Sequence, residues 1–250
     1  MSRRCLRAAA MIVVSGFALS ACASRIQFPA SSANLALVGD LYRPDGSGRL
    51  PAVVLLAPCG GVTQHMGEWA MWLKRQGYVA LIVDSFSPRG SANACQGESP
   101  RVPDVSRDAL AALSYLKTQT FVDGDRVAVM GWSHGAGAAL EVSADRAAFR
   151  AAVALYPPCQ FLDVRTQTPT LMLLADRDDW TPPNRCVAAA ETLGQRQVSW
   201  KVYPGAYHAF DQPAPMRTYL GHVMAYDGSA TDASREQVRM FLAKQLQDKQ

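Results

Sequence analysis

The stretch Arg126-Val-Ala-Val-Met-Gly-Trp-Ser-His-Gly135 leads from an apolar segment, through Gly131-Trp132-Ser133-His134-Gly135, into the alanine-rich Ala136-Gly-Ala-Ala-Leu140. A short continuous apolar run reads as a buried strand, and the alanine-rich run as a helix. Ser133 therefore sits on a strand-to-helix hinge, where a sharp turn lifts its hydroxyl clear of its own backbone. Glycines two residues before and two after let strand and helix approach closely. The helix that follows aims its N-terminal N–H groups, with their partial positive charge, at any negative charge developing there. Ser133 is the candidate nucleophile.

Outward from this hinge, apolar runs alternate with helical patterns. Strands are predicted at 53–57, 79–83, 127–130, 152–156, 170–174 and 198–202, and helices at 66–76, 104–118, 134–146, 183–194 and 234–247. Segment 35–42 alternates apolar and polar residues like an exposed edge strand, and Pro44-Asp-Gly-Ser-Gly48 reads as a turn. Continuous apolar strands separated by helices predict an α/β fold, a mostly parallel sheet with helices on both faces. Ligands in such sheets bind beyond the carboxyl ends of the strands, so the chemistry belongs in the loops that follow strands.

A serine hydroxyl needs a base, and the base needs a carboxylate to set its tautomer and stabilise its cation. Of four histidines, His208 follows the strand ending at 202, in Tyr203-Pro-Gly-Ala-Tyr-His-Ala-Phe-Asp211. His65 precedes a helix, His134 adjoins the serine but points away from the turn, and His222 lies in an irregular segment. The acid belongs between serine and histidine in chain order. Ala175-Asp-Arg-Asp-Asp-Trp-Thr-Pro182 offers Asp176, Asp178 and Asp179. Thr181 before Pro182 reads as a helix N-cap with proline at the first helical position, and the acid precedes it. Asp178 is the first choice and Asp179 the second.

Together, Gly-Trp-Ser-His-Gly, Asp-Asp-Trp-Thr-Pro and Tyr-Pro-Gly-Ala-x-His-Ala-Phe-Asp resemble the dienelactone hydrolase family of the α/β-hydrolase fold, from residue 35 to the C-terminus. The resemblance implies that the acid, four residues before the loop proline, is Asp178 and that the base is His208. It also implies that Ala57-Pro-Cys-Gly-Gly61 is the oxyanion loop, with the backbone N–H groups of Cys59 and His134 as donors. Dienelactone hydrolases themselves carry a cysteine where this chain has Ser133, and Ala57-Pro58 replaces the usual His-Gly. Those enzymes bind a substrate carboxylate with arginines. Arg89, in Asp84-Ser-Phe-Ser-Pro-Arg-Gly90, is the counterpart expected here.

The first 21 residues read as a targeting segment. Arg3, Arg4 and Arg7 precede an uncharged stretch from Ala8 to Ala21, too short to span a bilayer but suited to a secretory signal. Leu19-Ser-Ala-Cys22 resembles the lipobox of bacterial lipoproteins, which implies lipidation of Cys22. Ala23, which is not an aspartate, implies the periplasmic face of the outer membrane. Residues 22–34, small and polar, read as a tether to a single domain at 35–250. Removing three arginines takes the net charge from +4 to +1, so nothing points to nucleic acid as a partner.

Cys59, Cys95, Cys159 and Cys186 then remain, an even number in an oxidising compartment. Cys159 and Cys186 follow adjacent strands at the same end of the sheet, so they are expected to pair, leaving Cys59 with Cys95. No Cys-x2-Cys or paired histidine suggests a metal, and no cofactor is required. The leading expectation is a serine hydrolase of a small ester or lactone, working through an acyl-enzyme. The alternatives are a non-catalytic binding lipoprotein on the same fold and a serine peptidase or carbohydrate esterase.

Overall fold

A computed structural model describes residues 23–31, 34–97, 99–145, 148–163, 165–192 and 197–247. The signal segment 1–21 and Cys22 lie outside the described residues. The first half of the chain supplies β1 (Ser24–Pro29), β2 (Ala36–Tyr42), β3 (Leu50–Leu56), α1 (Gln64–Arg75), β4 (Val79–Asp84) and α2 (Val102–Lys117). Next come β5 (Val122–Trp132), α3 (His134–Val142), β6 (Ala151–Leu155), β7 (Thr170–Ala175), α4 (Pro183–Thr192) and β8 (Val198–Tyr203). A short hairpin, β9 (Arg217–Tyr219) and β10 (His222–Met224), precedes the closing helix α5 (Gly228–Gln245).

Eight strands form one sheet in the order β1-β2-β4-β3-β5-β6-β7-β8. Strands β4, β3, β5, β6, β7 and β8 pair in parallel, and β2 runs antiparallel to both β1 and β4. The period-two alternation of β3 shows how the layers form. Val53 and Leu55 join Trp69 and Leu73 of α1 and Val238 and Leu242 of α5 on one face. Ala52, Val54 and Leu56 join Val105 and Leu116 of α2 and Ala138 and Ala139 of α3 on the other. Cys186 and Ala190 of α4 pack against Met172 and Leu174 of β7. Burial on both faces is why these strands read as unbroken apolar runs. The architecture is the α/β-hydrolase fold.

Four expectations are corrected. Ser24–Pro29 is a strand rather than tether, registered on β2 from Ser24 opposite Leu41 to Pro29 opposite Ala36. Its small polar residues conceal an alternation, in which Ile26 is half-buried and Phe28 is buried and stacked on Tyr115 at 5.2 Å. Consequently β2 is an interior strand and not an edge. The last helix begins at Gly228, because Asp227 caps it by accepting the Ala230 N–H at 2.9 Å. Finally, α4 begins at Pro183, the start of the predicted 183–194, so Pro182 is not its first residue and the Thr181 hydroxyl, read as its cap, is engaged elsewhere.

Candidate active site

Trp132 ends β5, and Ser133 follows with φ 47° and ψ −113°, a conformation that costs a non-glycine residue about 1–3 kcal/mol. The strain is held by its surroundings: the Ser133 N–H donates to Leu155 O at 2.9 Å, and the Gly137 N–H donates to Ser133 O at 3.0 Å. A Cβ on Gly131 would lie 2.2 Å from Gly135 O, and one on Gly135 would lie 2.3 Å from Leu56 O. The glycines of the pentapeptide are thus dictated by backbone-to-backbone contact.

The carboxyl ends of β7 and β8 bring the other two candidates to this hinge. His208 Nε2 lies 3.1 Å from Ser133 Oγ, and His208 Nδ1 lies 2.7 Å from Asp178 Oδ2, all three side chains being buried. Asp178 Oδ1 accepts the backbone N–H groups of Trp180 (2.9 Å) and Thr181 (2.8 Å). The Thr181 hydroxyl sits 2.8 Å from Asp178 Oδ2 and 3.0 Å from Tyr156 O. Such a carboxylate is fixed in orientation before it meets the imidazole. Asp179 is half-exposed, 3.4 Å from His222 Nδ1.

Asp211, quoted with the histidine motif but given no role from sequence, anchors the arrangement from below. It is 2 % exposed, and its Oδ2 accepts the indole N–H groups of Trp69 (2.8 Å) and Trp132 (2.7 Å). Its Oδ1 accepts the Tyr156 hydroxyl at 2.7 Å. Burial, with Asp211 beside it, pushes the Tyr156 phenol well above its ordinary range. Trp132 precedes the serine, Asp211 follows the histidine by three residues, and the Tyr156 ring meets His208 edge-on at 4.7 Å. One carboxylate therefore ties the segment that carries His208 to the end of β5 that carries Ser133, and to Tyr156 just beyond β6. Asp211→Ala strands three donors and is expected to destabilise the fold by about 3 kcal/mol or more. It should also lower kcat about 100-fold by loosening the geometry. A melting temperature and kcat equal to wild type would remove the anchoring role.

Residues 37–246 match the sequence model of the dienelactone hydrolase family. The chain belongs to that family. Its reaction class is hydrolysis of an ester bond, open or cyclic. A curated relative from Bradyrhizobium sp., named a probable 2-oxo-3-(5-oxofuran-2-ylidene)propanoate lactonase, is 29% identical over 194 residues, 69% of this chain and 78% of the relative. Among solved structures, a dienelactone hydrolase-like promiscuous phosphotriesterase from metagenomic libraries superposes with a TM-score of 0.74 at 22% identity, covering 90% of this chain and 100% of that one. Thermogutta terrifontis esterase 2 gives 0.68 at 17%, covering 91% and 97%. At those identities the two structures speak for the fold alone.

One expectation drawn from dienelactone hydrolases is overturned at Arg89. Its guanidinium grips Asp108 through two bonds of 2.7 and 2.9 Å and donates to Ser85 O at 2.7 Å. Asp108 is 1% exposed, and a buried carboxylate requires a partner of this kind. Arg89 lines neither cavity that meets at Ser133. The arginines that do line the larger one are Arg101 and Arg185, neither ion-paired among the described residues.

The remaining candidates fall as follows. The His134 N–H opens α3, where no preceding turn supplies an acceptor. The loop after β3 carries Cys59, which is bonded to Cys95, while Cys159 is bonded to Cys186. His65 is buried with Nδ1 2.6 Å from Thr63 Oγ1, and burial holds its imidazole below the ordinary value. His222 stacks on Trp180 at 4.8 Å. The hairpin β9–β10 replaces the irregular segment read around His222. It closes over the site, with the Tyr219 hydroxyl accepting from Asn93 Nδ2 at 2.8 Å. Among the described residues no cluster of metal-ligating side chains occurs.

Proposed function

We propose that the protein is a serine hydrolase of small esters or lactones that works through an acyl-enzyme on Ser133. The observation that carries this reading is the unbroken chain Ser133 Oγ to His208 Nε2 (3.1 Å) and His208 Nδ1 to Asp178 Oδ2 (2.7 Å) on a strained turn. His208 takes the hydroxyl proton as Oγ attacks the carbonyl carbon, and Asp178 holds the imidazole in the tautomer whose Nε2 is free to accept it. The N–H groups of Cys59 and His134 receive the oxyanion. His208 then gives its proton to the departing oxygen, and a water deprotonated by His208 releases the acid.

The Bradyrhizobium relative's name describes a carboxylate-bearing lactone. Arg101 and Arg185, which line the larger cavity, suit a substrate carboxylate, which replaces the discarded role of Arg89. A fluorophosphonate probe tests the nucleophile: mass spectrometry is expected to find one adduct, on Ser133, and none in Ser133→Ala. An intact protein that takes no label would leave only a binding role for the fold.

A further inference from the structure

Two cavities of different character meet at Ser133, and only one is walled by the base. The smaller, about 200 Å³, is lined by His208, Tyr156, Trp180, Tyr219 and Met224 together with Arg217, whose guanidinium donates to Gln212 Oε1 at 2.7 Å. The larger, about 540 Å³, is lined by Arg101, Arg185, Gln160 and His134, and His208 takes no part in it. Ester cleavage assigns different halves of a substrate to these spaces. In acylation the bond from Ser133 Oγ to the carbonyl carbon forms, and the bond from that carbon to the alcohol oxygen breaks. The proton taken by His208 Nε2 passes to the departing oxygen, which must lie within hydrogen-bond reach of Nε2. The alcohol half therefore departs on the side of His208, and the acyl half lies on the other.

Resting on the reading of Ser133 as nucleophile, we propose that the smaller cavity is a leaving-group pocket for a single aromatic ring, so that the preferred open-chain substrates are esters of arylmethyl alcohols and phenols. Its volume fits, since an apolar cavity of about 150 Å³ accepts benzene. Its walls fit as well. Trp180, stacked on His222 at 4.8 Å, tilted over His208 at 5.0 Å and lying 5.9 Å from Tyr219, belongs to an aromatic cluster that lines the cavity, and aromatic groups pack against such rings. The wall contributed by the hairpin is held in place, because the hydrogen bond from Asn93 to Tyr219 ties it to the loop of Cys95. The acyl half occupies the larger cavity, beside Arg101 and Arg185. A polar acyl group and a flat apolar alcohol form the combination that fills both spaces.

Benzyl acetate and methyl phenylacetate test this cleanly, because they are isomers with alkoxide leaving groups of similar basicity and differ in which half bears the ring. Purified full chain is expected to turn over benzyl acetate with kcat/KM at least about 10-fold higher, the scale on which apolar pockets discriminate. Met224→Trp, which fills the pocket, is expected to collapse that ratio toward one. Equal rates in the wild type, or a preference for methyl phenylacetate, overturn the pocket assignment while labelling of Ser133 preserves the hydrolase. Absence of both turnover and labelling overturns both.

Discussion

Asp178→Asn is expected to lower kcat about 10,000-fold, the scale of a wrongly set imidazole tautomer, while Asp179→Asn stays within about 2-fold of wild type. The asymmetry follows from what pins the carboxylate. Oδ1 of Asp178 accepts two backbone N–H groups, from Trp180 and Thr181, so an asparagine there must place its carbonyl oxygen at that position. Its NH2 then faces His208 Nδ1 and donates to it. The ring proton is forced onto Nε2, and Nε2 can no longer accept from Ser133. Asp179 has no such hold, being half-exposed beside His222. Initial rates of ester hydrolysis with both variants decide the matter, and an equal or larger loss in Asp179→Asn would reverse the assignment.

The second large effect concerns folding. Gly135→Ala places a methyl group 2.3 Å from Leu56 O and 2.5 Å from Ala57 O, the backbone at the end of a central strand and the first residue beyond it. Strand β3 cannot retreat without breaking the ladder that pairs Leu56 with Gly131, and the start of α3 is held by the Gly137 N–H donating to Ser133 O. A loss above about 4 kcal/mol, or no soluble protein, is expected. Gly60→Ala is the control, because its Cβ meets nothing within 4 Å and should leave the urea midpoint in place. A Gly135→Ala protein that melts like wild type would show that the close approach is not needed.

What the sequence made legible shares one property: its signal is local. The buried strands announce themselves as apolar runs, the hinge as a serine between spaced glycines, and the acid and base as polar groups just beyond strand ends. What escaped is fixed by partners far along the chain. Arg89 is absorbed by Asp108, nineteen positions away, and nothing near Arg89 hints at it. Asp211 meets Trp69, Trp132 and Tyr156 at separations of 142, 79 and 55 residues. Strands β9 and β10 have three residues each, too few for a periodicity, and are held by Asn93 and Trp180. Strand β1 did carry a clue in Ile26 and Phe28, outweighed in composition by the small residues around them.

The bond between Cys59 and Cys95 fastens together two loops that border both cavities at Ser133. Both cysteines border both cavities, and the first also contributes a backbone N–H to the proposed oxyanion site. The lining shared by the two cavities is therefore completed by a disulfide and not by packing alone. A chain matured where thiols stay reduced would carry the same serine, histidine and aspartate between two unfastened loops. Reduction of the bond would unfasten the two loops where they border both cavities.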